Sequence, residues 1–347
     1  MKSGYQVIII IFIFLFSRSI YGEQKTLNIY TWGNYLPQEI INQFTKETGI
    51  KINISQYDNN ETMFAKLKTL KYPGYDIVVP SSYYVERMIK LGMLQKLDKS
   101  KLTNWHNLNP LLLNKPFDPK NNYSIPYFWG TIGIIVNTKY IDNKKITSWQ
   151  NFWDATYKDQ LMILNDMRDT FGMALLSLGY SINDVNPKHI EAAYLKLKQL
   201  LPNIKIFNTD TIPNIYIDED AIIGMAWSGD CKLAQQENPF LQYIYPREGF
   251  ALWLDSFAIL KDAPHADNAH KFIDFILRPE IAKYTSLTLG HSTANLAAFK
   301  IMPKKTQQNR VAYPDHETML RGELQLDLNE EARRIYEKYW ERLKINN

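Results

Sequence analysis

The stretch from Leu27 to Ile54, LNIYTWGNYLPQEIINQFTKETGIKINI, decides the fold. A short apolar strand that reaches Tyr30 is followed by a loop and then by a helix that Pro37 opens and Gly49 ends. Ile50 to Ile54 has the pattern of the next strand. The stretch therefore predicts a strand, a loop, a helix and a second strand, the repeating unit of an α/β protein.

The same unit recurs along the chain. Asn60 is predicted as the N-cap of a helix through Leu67, Asp76 to Val79 as a third strand, and Ser81 or Ser82 as the cap of the next helix. The second half is predicted to contain strands at Leu161–Leu164, Ile204–Phe207 and Ala221–Trp227 and helices at Arg168–Leu178, His189–Leu200 and Glu330–Lys344. Strands that alternate with helices predict an α/β fold with doubly wound, mainly parallel sheets.

A chain of 347 residues is too long for one ordinary core and suits two lobes. Extended apolar segments near Gly133 to Asn137 and near Leu252 to Ile259 are expected to cross between the lobes. We therefore expect lobe 1 to comprise residues 23–132 and 251–300, and lobe 2 to comprise residues 133–250 and 301–347.

The N-terminus has the architecture of a secretory signal. Lys2 precedes an unbroken apolar run from Val7 to Phe16, and Gly22 offers a small residue for cleavage. We therefore expect residues 1–22 to be a cleavable signal peptide and the mature protein to be exported to the periplasm. A permanent membrane anchor is the alternative, but a bilayer-crossing helix needs about 20 apolar residues.

The composition excludes several classes of function. With 45% hydrophobic and 22% charged residues the chain is typical of a soluble globular protein. Removal of residues 1–22 leaves 38 basic against 36 acidic side chains, so no nucleic-acid surface is indicated. Cys231 is the only cysteine, which excludes an intramolecular disulfide and favours an inert core residue. The six histidines lack metal-ligand spacing, and we expect neither a metal nor a cofactor.

Aromatic and acidic residues gather where the predicted strands end, the edge of an open α/β sheet at which ligands bind. This set comprises Trp32, Tyr35, Ser81, Ser82, Tyr83, Asp166, Asp169, Trp227 and Asp230, with Trp253 and Asp255 on a crossing strand. Arg168 is the one basic residue among them. Rings attract ammonium groups and cover methylenes, while carboxylates accept their N–H bonds, so the set suits a flexible dication or trication.

Other interpretations of these residues stay open. The tryptophans could be ordinary core residues, Asp166 could simply cap the following helix, and Asp169 could interact with that helix's dipole. Asp255 lies within an otherwise apolar strand and needs a partner, for which a ligand cation is suited. A sugar-binding protein would use similar aromatic platforms. A secreted glycoside hydrolase using Asp166 and Asp255 is a further alternative, although the sequence gives enzymes less support.

Several collinear stretches resemble the periplasmic spermidine/putrescine-binding protein of ABC-type polyamine importers. They are Phe44–Lys51 (FTKETGIK), Asn60–Met63 (NETM), Tyr75–Ser81 (YDIVVPS), Asn114–Pro119 (NKPFDP), Ser124–Tyr127 (SIPY), Trp253–Ser256 (WLDS) and Asn295–Ala298 (NLAA). The resemblance covers essentially the whole mature chain. It implies a two-lobed type II periplasmic binding protein, not an enzyme, that closes on a polyamine and delivers it to a membrane permease. A monomer is expected.

The resemblance also implies the residues that contact the ligand. It places Trp32, Tyr35, Ser81, Tyr83, Asp166, Asp169, Thr209, Trp227, Asp230, Trp253, Asp255 and Gln325 at the polyamine. Asp166 and Asp255 would hold one ammonium, Asp169 the inner amine, and hydroxyl and amide groups the far end. Three positions depart from the spermidine binder of the family, because Asp169 stands for a glutamate, Asn34 for an acid and Asp230 for a serine. The choice between diamine and triamine therefore stays open.

Overall fold

The computed structural model describes residues 25–70 and 74–345. The predicted signal peptide, residues 1–22, lies outside this part of the chain. The strands are β1 Thr26–Trp32, β2 Lys51–Tyr57, β3 Ile77–Val78, β4 Ser124–Asn137, β5 Leu161–Leu164, β6 Ile204–Asn208, β7 Ile223–Trp227, β8 Leu241–Ile244, β9 Phe250–Ile259, β10 Ser292–Thr293 and β11 Gly322–Leu324. The α-helices are α1 Gln38–Thr48, α2 Asn60–Thr69, α3 Ser82–Lys90, α4 Met167–Ser177, α5 Pro187–Leu200, α6 Ile212–Ile217, α7 Ser228–Glu237, α8 Ala266–Ile276, α9 Pro279–Leu289, α10 Leu296–Lys300, α11 Lys304–Gln307, α12 His316–Met319 and α13 Glu330–Ile345.

The strands form two parallel groups joined by long antiparallel strands. Along the main path the order is β2-β1-β3-β9-β4-β7-β5-β6, and the three remaining strands pair with β4 or β9. β1 runs parallel to β2 and β3, and β5 runs parallel to β6 and β7. β9 is antiparallel to β3 and β4. The predicted α/β class with doubly wound sheets and crossover strands is confirmed.

Strands β4 and β9 carry the chain from one lobe to the other. β4 pairs with β9 as far as Thr131 and with β7 from Ile132 onward. The change of partner therefore lies between Thr131 and Ile132, just before Gly133 to Asn137, the segment for which the sequence predicted a crossing. Trp253 on β9 packs against the cores of both lobes, so its ring lies where the two lobes meet.

Each lobe has a hydrophobic core of its own. One cluster includes Phe44, Ile77 and Phe257, and the other includes Phe171 and Met225. The C-terminal helix α13 packs on the second cluster through buried Ala332, Tyr336 and Leu343. The segment before α13 contacts both clusters, because Leu326 packs on the first and Leu328 belongs to the second. The exact lobe boundaries stay a prediction.

Local signals explain most helix ends, and one prediction about them is wrong. Gly49 ends α1 in the left-handed conformation, with φ of 71°, which glycine adopts without strain. The N-cap of α2 is Asn59 and not Asn60, because the Asn59 side chain accepts the N–H of Thr62 at 2.8 Å. Asn60 is the first helical residue, and its amide turns inward. The N-cap position of α3 is Ser81, whose side chain makes no capping bond.

Two properties of the described residues bear on the exported state and on Cys231. Among these residues no helix combines the length and the apolar composition needed to cross a bilayer. Cys231 is fully buried in the second core, and its burial raises the pKa of the thiol. A thiol that stays protonated is a poor nucleophile, which agrees with its interpretation as a core residue.

Candidate functional site: the cleft between the lobes

A cleft of about 570 Å³ lies between the lobes at the ends of the parallel strands. All twelve side chains predicted to contact a ligand line it. They come from the ends of β1 and β7, from the loops after β1, β3, β5 and β6, from the first turns of α3, α4 and α7, from β9 and from the segment after β11. Side chains that are far apart in sequence therefore meet because parallel strands end at a common edge.

Asp255 anchors the wall that the first lobe contributes. Its carboxylate accepts hydrogen bonds from the Tyr35 hydroxyl at 2.5 Å and from the Ser81 hydroxyl at 2.7 Å. Asn60 fixes this arrangement, since its amide donates to the Ser81 hydroxyl at 3.1 Å and to the Tyr83 hydroxyl at 3.0 Å. Burial raises the pKa of Asp255 to about 6, although the two hydroxyl donors oppose the shift. The carboxylate is thus held in place with a desolvated charge.

Asp169 anchors the facing wall from the second lobe. Its carboxylate accepts the indole N–H of Trp227 at 2.9 Å and the amide N–H of Gln325 at 2.7 Å. Asp166 caps α4 by accepting the backbone N–H of Asp169 at 3.0 Å, which was one of the interpretations that the sequence left open. Burial raises the pKa of both carboxyls, and the charge of Asp166 adds to the shift of Asp169.

The remaining predicted residues complete the two sides of the cleft. Asp230 lies in the first turn of α7, and burial raises the pKa of its carboxyl to about 7. The hydroxyl of Thr209 lies 3.5 Å from a carboxylate oxygen of Asp210, at the exposed rim. The indole nitrogen of Trp253 is buried and has no hydrogen-bond partner in the described part of the chain.

Glycine at position 130 lets the Trp253 ring lie close to β4. A Cβ at this position would stand 2.4 Å from the ring, far inside van der Waals contact. Trp32 is fixed in another way, because its indole N–H donates to the carbonyl of Val79 at 2.9 Å. Its ring also packs on Tyr57 with 4.8 Å between the centroids. These rings therefore form rigid walls, onto which a flexible apolar chain can pack.

Among the described residues, the side chains that carry a charge at pH 7 in the lining of the cleft are all acids. Six aspartates line it: Asp58, Asp166, Asp169, Asp210, Asp230 and Asp255. No lysine or arginine does so among the described residues. Burial makes a carboxylate costly to ionise, which is why the pKa values of Asp166, Asp169, Asp230 and Asp255 rise. A ligand that brings several ammonium groups would relieve this cost.

Sequence reasoning missed several residues of the cleft. The sequence predicted Asn60 only as a helix cap. Tyr57 ends β2, Asp58 follows it and Asp210 follows β6, and none of the three was predicted as a ligand group. His291 follows α9, where no predicted strand ends. Burial lowers the pKa of its imidazole to about 4, and its Nδ1 atom has no hydrogen-bond partner among the described residues. The histidine is therefore neutral at pH 7. Asn34, noted as a departure, lines the rim.

Two α/β lobes joined by crossover strands, with a polar and aromatic cleft between them, define a type II periplasmic binding protein. A family model described as bacterial extracellular solute-binding protein matches residues 39–313. The chain belongs to this family. Its members bind solutes, so the glycoside hydrolase alternative falls away and the prediction that the chain is not an enzyme stands.

The chain is also similar to individual proteins along nearly its whole length. The spermidine/putrescine-binding periplasmic protein of Salmonella typhimurium is 49% identical over 93% of this chain and 92% of its own. The protein of the same name from Escherichia coli is 48% identical, with the same coverage. A solved structure, the spermidine/putrescine ABC transporter substrate-binding protein PotD of Streptococcus pneumoniae, superposes with a TM-score of 0.80 at 36% identity, covering 92% of this chain and 98% of its own. The resemblance found in the sequence is confirmed.

Proposed function

We propose that this protein captures a polyamine, spermidine or putrescine or both, in the cleft between its lobes and delivers it to an ABC-type membrane permease. The observation that carries the proposal is the lining of the cleft, where six aspartates and several aromatic rings meet and where the described part of the chain places no lysine or arginine. An anionic solute would be repelled, and a neutral sugar would leave the desolvated carboxylates without a cation. The names of the similar proteins support the same solute class.

The hydrogen bonds in the cleft suggest how the ligand is held. Asp255 and Asp166 bind one terminal ammonium from opposite lobes, while Asp169, oriented by Trp227 and Gln325, binds the next amine. The methylenes between the amines pack on the tryptophan rings, where cation–π attraction adds to the contact. Because ammonium groups bind acids of both lobes, the ligand favours the closed arrangement over the open one.

The remaining polar groups of the cleft receive the far end of the ligand. Asn34 stands where the spermidine binder of the family has an acid, and Asp230 supplies a carboxylate where that binder has a serine. We therefore expect the protein to bind both the diamine and the triamine. Thr209 supplies a hydroxyl group at the rim, and Ser81 and Tyr83 supply hydroxyl groups on the wall that carries Asp255. A hydroxyl group accepts the N–H bond of an amine without adding charge.

We also propose that the protein works as an exported monomer in the periplasm. The curated relatives carry the word periplasmic in their names, and residues 1–22 have the pattern of a cleavable signal peptide. The permease partner follows from the proposed transport role. N-terminal sequencing of the mature protein locates the cleavage site, and size-exclusion chromatography with light scattering measures the oligomeric state.

Calorimetric titration of the ligand-stripped protein tests the proposed solute. The titrants are putrescine, spermidine and spermine, with maltose and a mixture of amino acids as controls. We expect micromolar or tighter binding of at least one polyamine and none of the controls. Binding of maltose without any polyamine would refute the proposal and support a sugar-binding protein.

A further inference from the structure

A short segment at the end of β11 is bound by both lobes at once. It consists of Leu324, Gln325, Leu326 and Asp327, and we call it the strap. The side chains of Leu324 and Leu326 pack on the core of the first lobe. Between them, Gln325 is only 3% exposed, and its side chain lines the cleft. The main chain of the strap therefore determines where a predicted ligand residue points.

Asn183 holds the strap from the second lobe. Its side-chain amide donates to the carbonyl of Leu324 at 2.9 Å, and its side-chain oxygen accepts the backbone N–H of Leu326 at 2.9 Å. These two bonds lie on either side of Gln325. Arg168 adds a bond from the same lobe, because its guanidinium donates to the carbonyl of Leu326 at 3.1 Å. The second lobe thus fixes the main chain before and after the glutamine.

Helix α3 holds the strap from the first lobe. The hydroxyl of Ser82, which is fully buried in the first turn of α3, donates to the carbonyl of Gln325 at 2.6 Å. One turn further along the helix, Glu86 accepts the backbone N–H of Asp327 at 3.0 Å. Lys90 follows after another turn, with its ammonium 3.1 Å from the Asp327 carboxylate. These three residues of α3 recur at every fourth position, so one face of the helix binds the strap.

The start of α3 connects the strap to both acidic walls of the cleft. The hydroxyl of Ser81 donates to Asp255, which anchors the first wall. The next residue, Ser82, binds the carbonyl of Gln325, and the amide of this glutamine donates to Asp169, which anchors the facing wall, at 2.7 Å. The sequence singled out both serines at this strand end, yet the proposed polyamine contacts leave Ser82 without a role.

We propose that Ser82 and Asn183 are positioning residues, which fix the main chain around Gln325 and so direct its amide toward Asp169 and the ligand. The inference rests on the proposed function. Neither of the two side chains is among the described residues that line the cleft, so each acts through the glutamine. A glutamine side chain has several rotatable bonds, and ordering it only when the ligand arrives costs affinity. A fixed main chain and the bond to Asp169 order it beforehand.

A double-mutant cycle tests this role by calorimetric titration of spermidine into ligand-stripped protein. Ser82→Ala removes the hydroxyl, whereas Gln325→Ala removes the side chain and keeps the carbonyl that Ser82 binds. We expect Ser82→Ala to lower the affinity about fivefold when Gln325 is present, the size of one lost hydrogen bond. In the Gln325→Ala background the same change should lower it less than about twofold. A merely structural effect of the lost hydroxyl would be equal in the two backgrounds.

Ser177→Ala is the matched control. The hydroxyl of Ser177 also donates to a backbone carbonyl, that of Ala174 at 2.6 Å, but it does so from the last residue of α4. This change should leave the affinity as it is in both backgrounds. Asn183→Ala should repeat the result of Ser82→Ala, and it takes the place of that variant if circular dichroism shows that Ser82→Ala does not fold.

The outcomes separate this inference from the proposed function. Wild-type affinity in Ser82→Ala, or equal losses in the two backgrounds, would overturn the role of Ser82. Absence of polyamine binding by the wild type would refute the proposed function. NMR relaxation of the Gln325 side-chain amide in the ligand-free protein then tests the inference alone. Its order parameter should fall in Ser82→Ala, and an unchanged order parameter would overturn the inference.

Discussion

Replacement of Asp255 by asparagine removes one negative charge from the cleft and hardly changes its shape. The carboxylate accepts two hydroxyl hydrogen bonds, from Tyr35 and from Ser81, at 2.5 and 2.7 Å. The asparagine oxygen can still accept one of them, and the other hydroxyl can rotate to accept from the new amide. The variant should therefore fold, and the loss should fall on the interaction with the ligand.

The expected loss of polyamine affinity follows from the burial of the Asp255 carboxylate. An ammonium 4 Å from the carboxylate at an effective dielectric constant of 20 gains about 4 kcal/mol, an upper bound because the ligand also loses water. With a pKa of about 6, the Asp255 carboxyl is already ionised in most molecules at pH 7. Little of the Coulomb energy gained with the ammonium is therefore needed to remove a proton. We expect the polyamine affinity to fall at least tenfold, or about 1.4 kcal/mol.

The same change should not destabilise the ligand-free protein. A carboxyl whose pKa is raised from 3.8 to about 6 costs the native state about 3 kcal/mol when it is ionised at pH 7. Asparagine removes that cost, so the melting temperature without ligand should stay equal or rise. Calorimetric titration measures the affinity, and thermal unfolding measures the stability. The control is Asp262→Asn, which removes the same charge at an exposed position.

Two results would refute this reasoning. An affinity within twofold of the wild type, in a folded Asp255→Asn variant, would exclude Asp255 from the ligand contacts. An equal loss of affinity in Asp262→Asn would show that the overall charge of the protein causes the loss and that the position of the Asp255 carboxylate in the cleft does not.

Four further predictions concern the cleft and the sheet. Polyamine affinity should fall at least tenfold from pH 8 to pH 5, because a carboxyl such as Asp255 with a pKa of about 6 is ionised in roughly one molecule in ten at pH 5; a flat profile would contradict this. These carboxyls keep their protons to a higher pH in the native state than in the unfolded chain. The free energy of unfolding of the ligand-free protein should therefore fall as the pH rises from about 4 to about 7, which thermal unfolding across that range measures. Millimolar polyamine should raise the melting temperature by several degrees, since ligand at about 1,000 times its dissociation constant stabilises the native state by about 4 kcal/mol; no shift in folded protein would count against the proposed function. Gly224→Ala should lower the free energy of unfolding by more than about 3 kcal/mol, because the added Cβ would lie 2.1 Å from the carbonyl oxygen of Met162. Denaturant titration measures this loss, and a loss below about 1 kcal/mol would show that β7 can shift away from β5.

The fold could be predicted from the sequence because its signals are local and repeated. Pro37 precedes α1, Gly49 ends this helix, and Asp166 caps α4. Each of these signals acts through contacts within a few residues. The crossover was located less exactly, since β4 is one continuous buried strand from Ser124 to Asn137 and all its residues are buried alike. No change in its residue pattern shows where the partner changes from β9 to β7.

The acids and rings of the cleft could be listed because they follow strand ends, but their partners could not. Ser81 stands where a helix cap belongs, and only the structure shows that its hydroxyl donates to Asp255, which lies 174 positions away. The hydrogen bonds from the Asn60 amide to the hydroxyls of Ser81 and Tyr83 could not be predicted either. Such hydrogen bonds depend on how two distant strands are aligned, which no local pattern encodes.

The charges of the cleft show why a list of ligand contacts leaves part of the site out. Six aspartates line the cleft, and they would repel one another in the absence of ligand. The protein limits this repulsion with hydroxyl donors on Asp255 and with indole and amide donors on Asp169. Glu61 adds a further buried carboxyl to the same region. The selectivity for cations therefore depends on the acids that contact the solute and also on the donors that hold those acids in place.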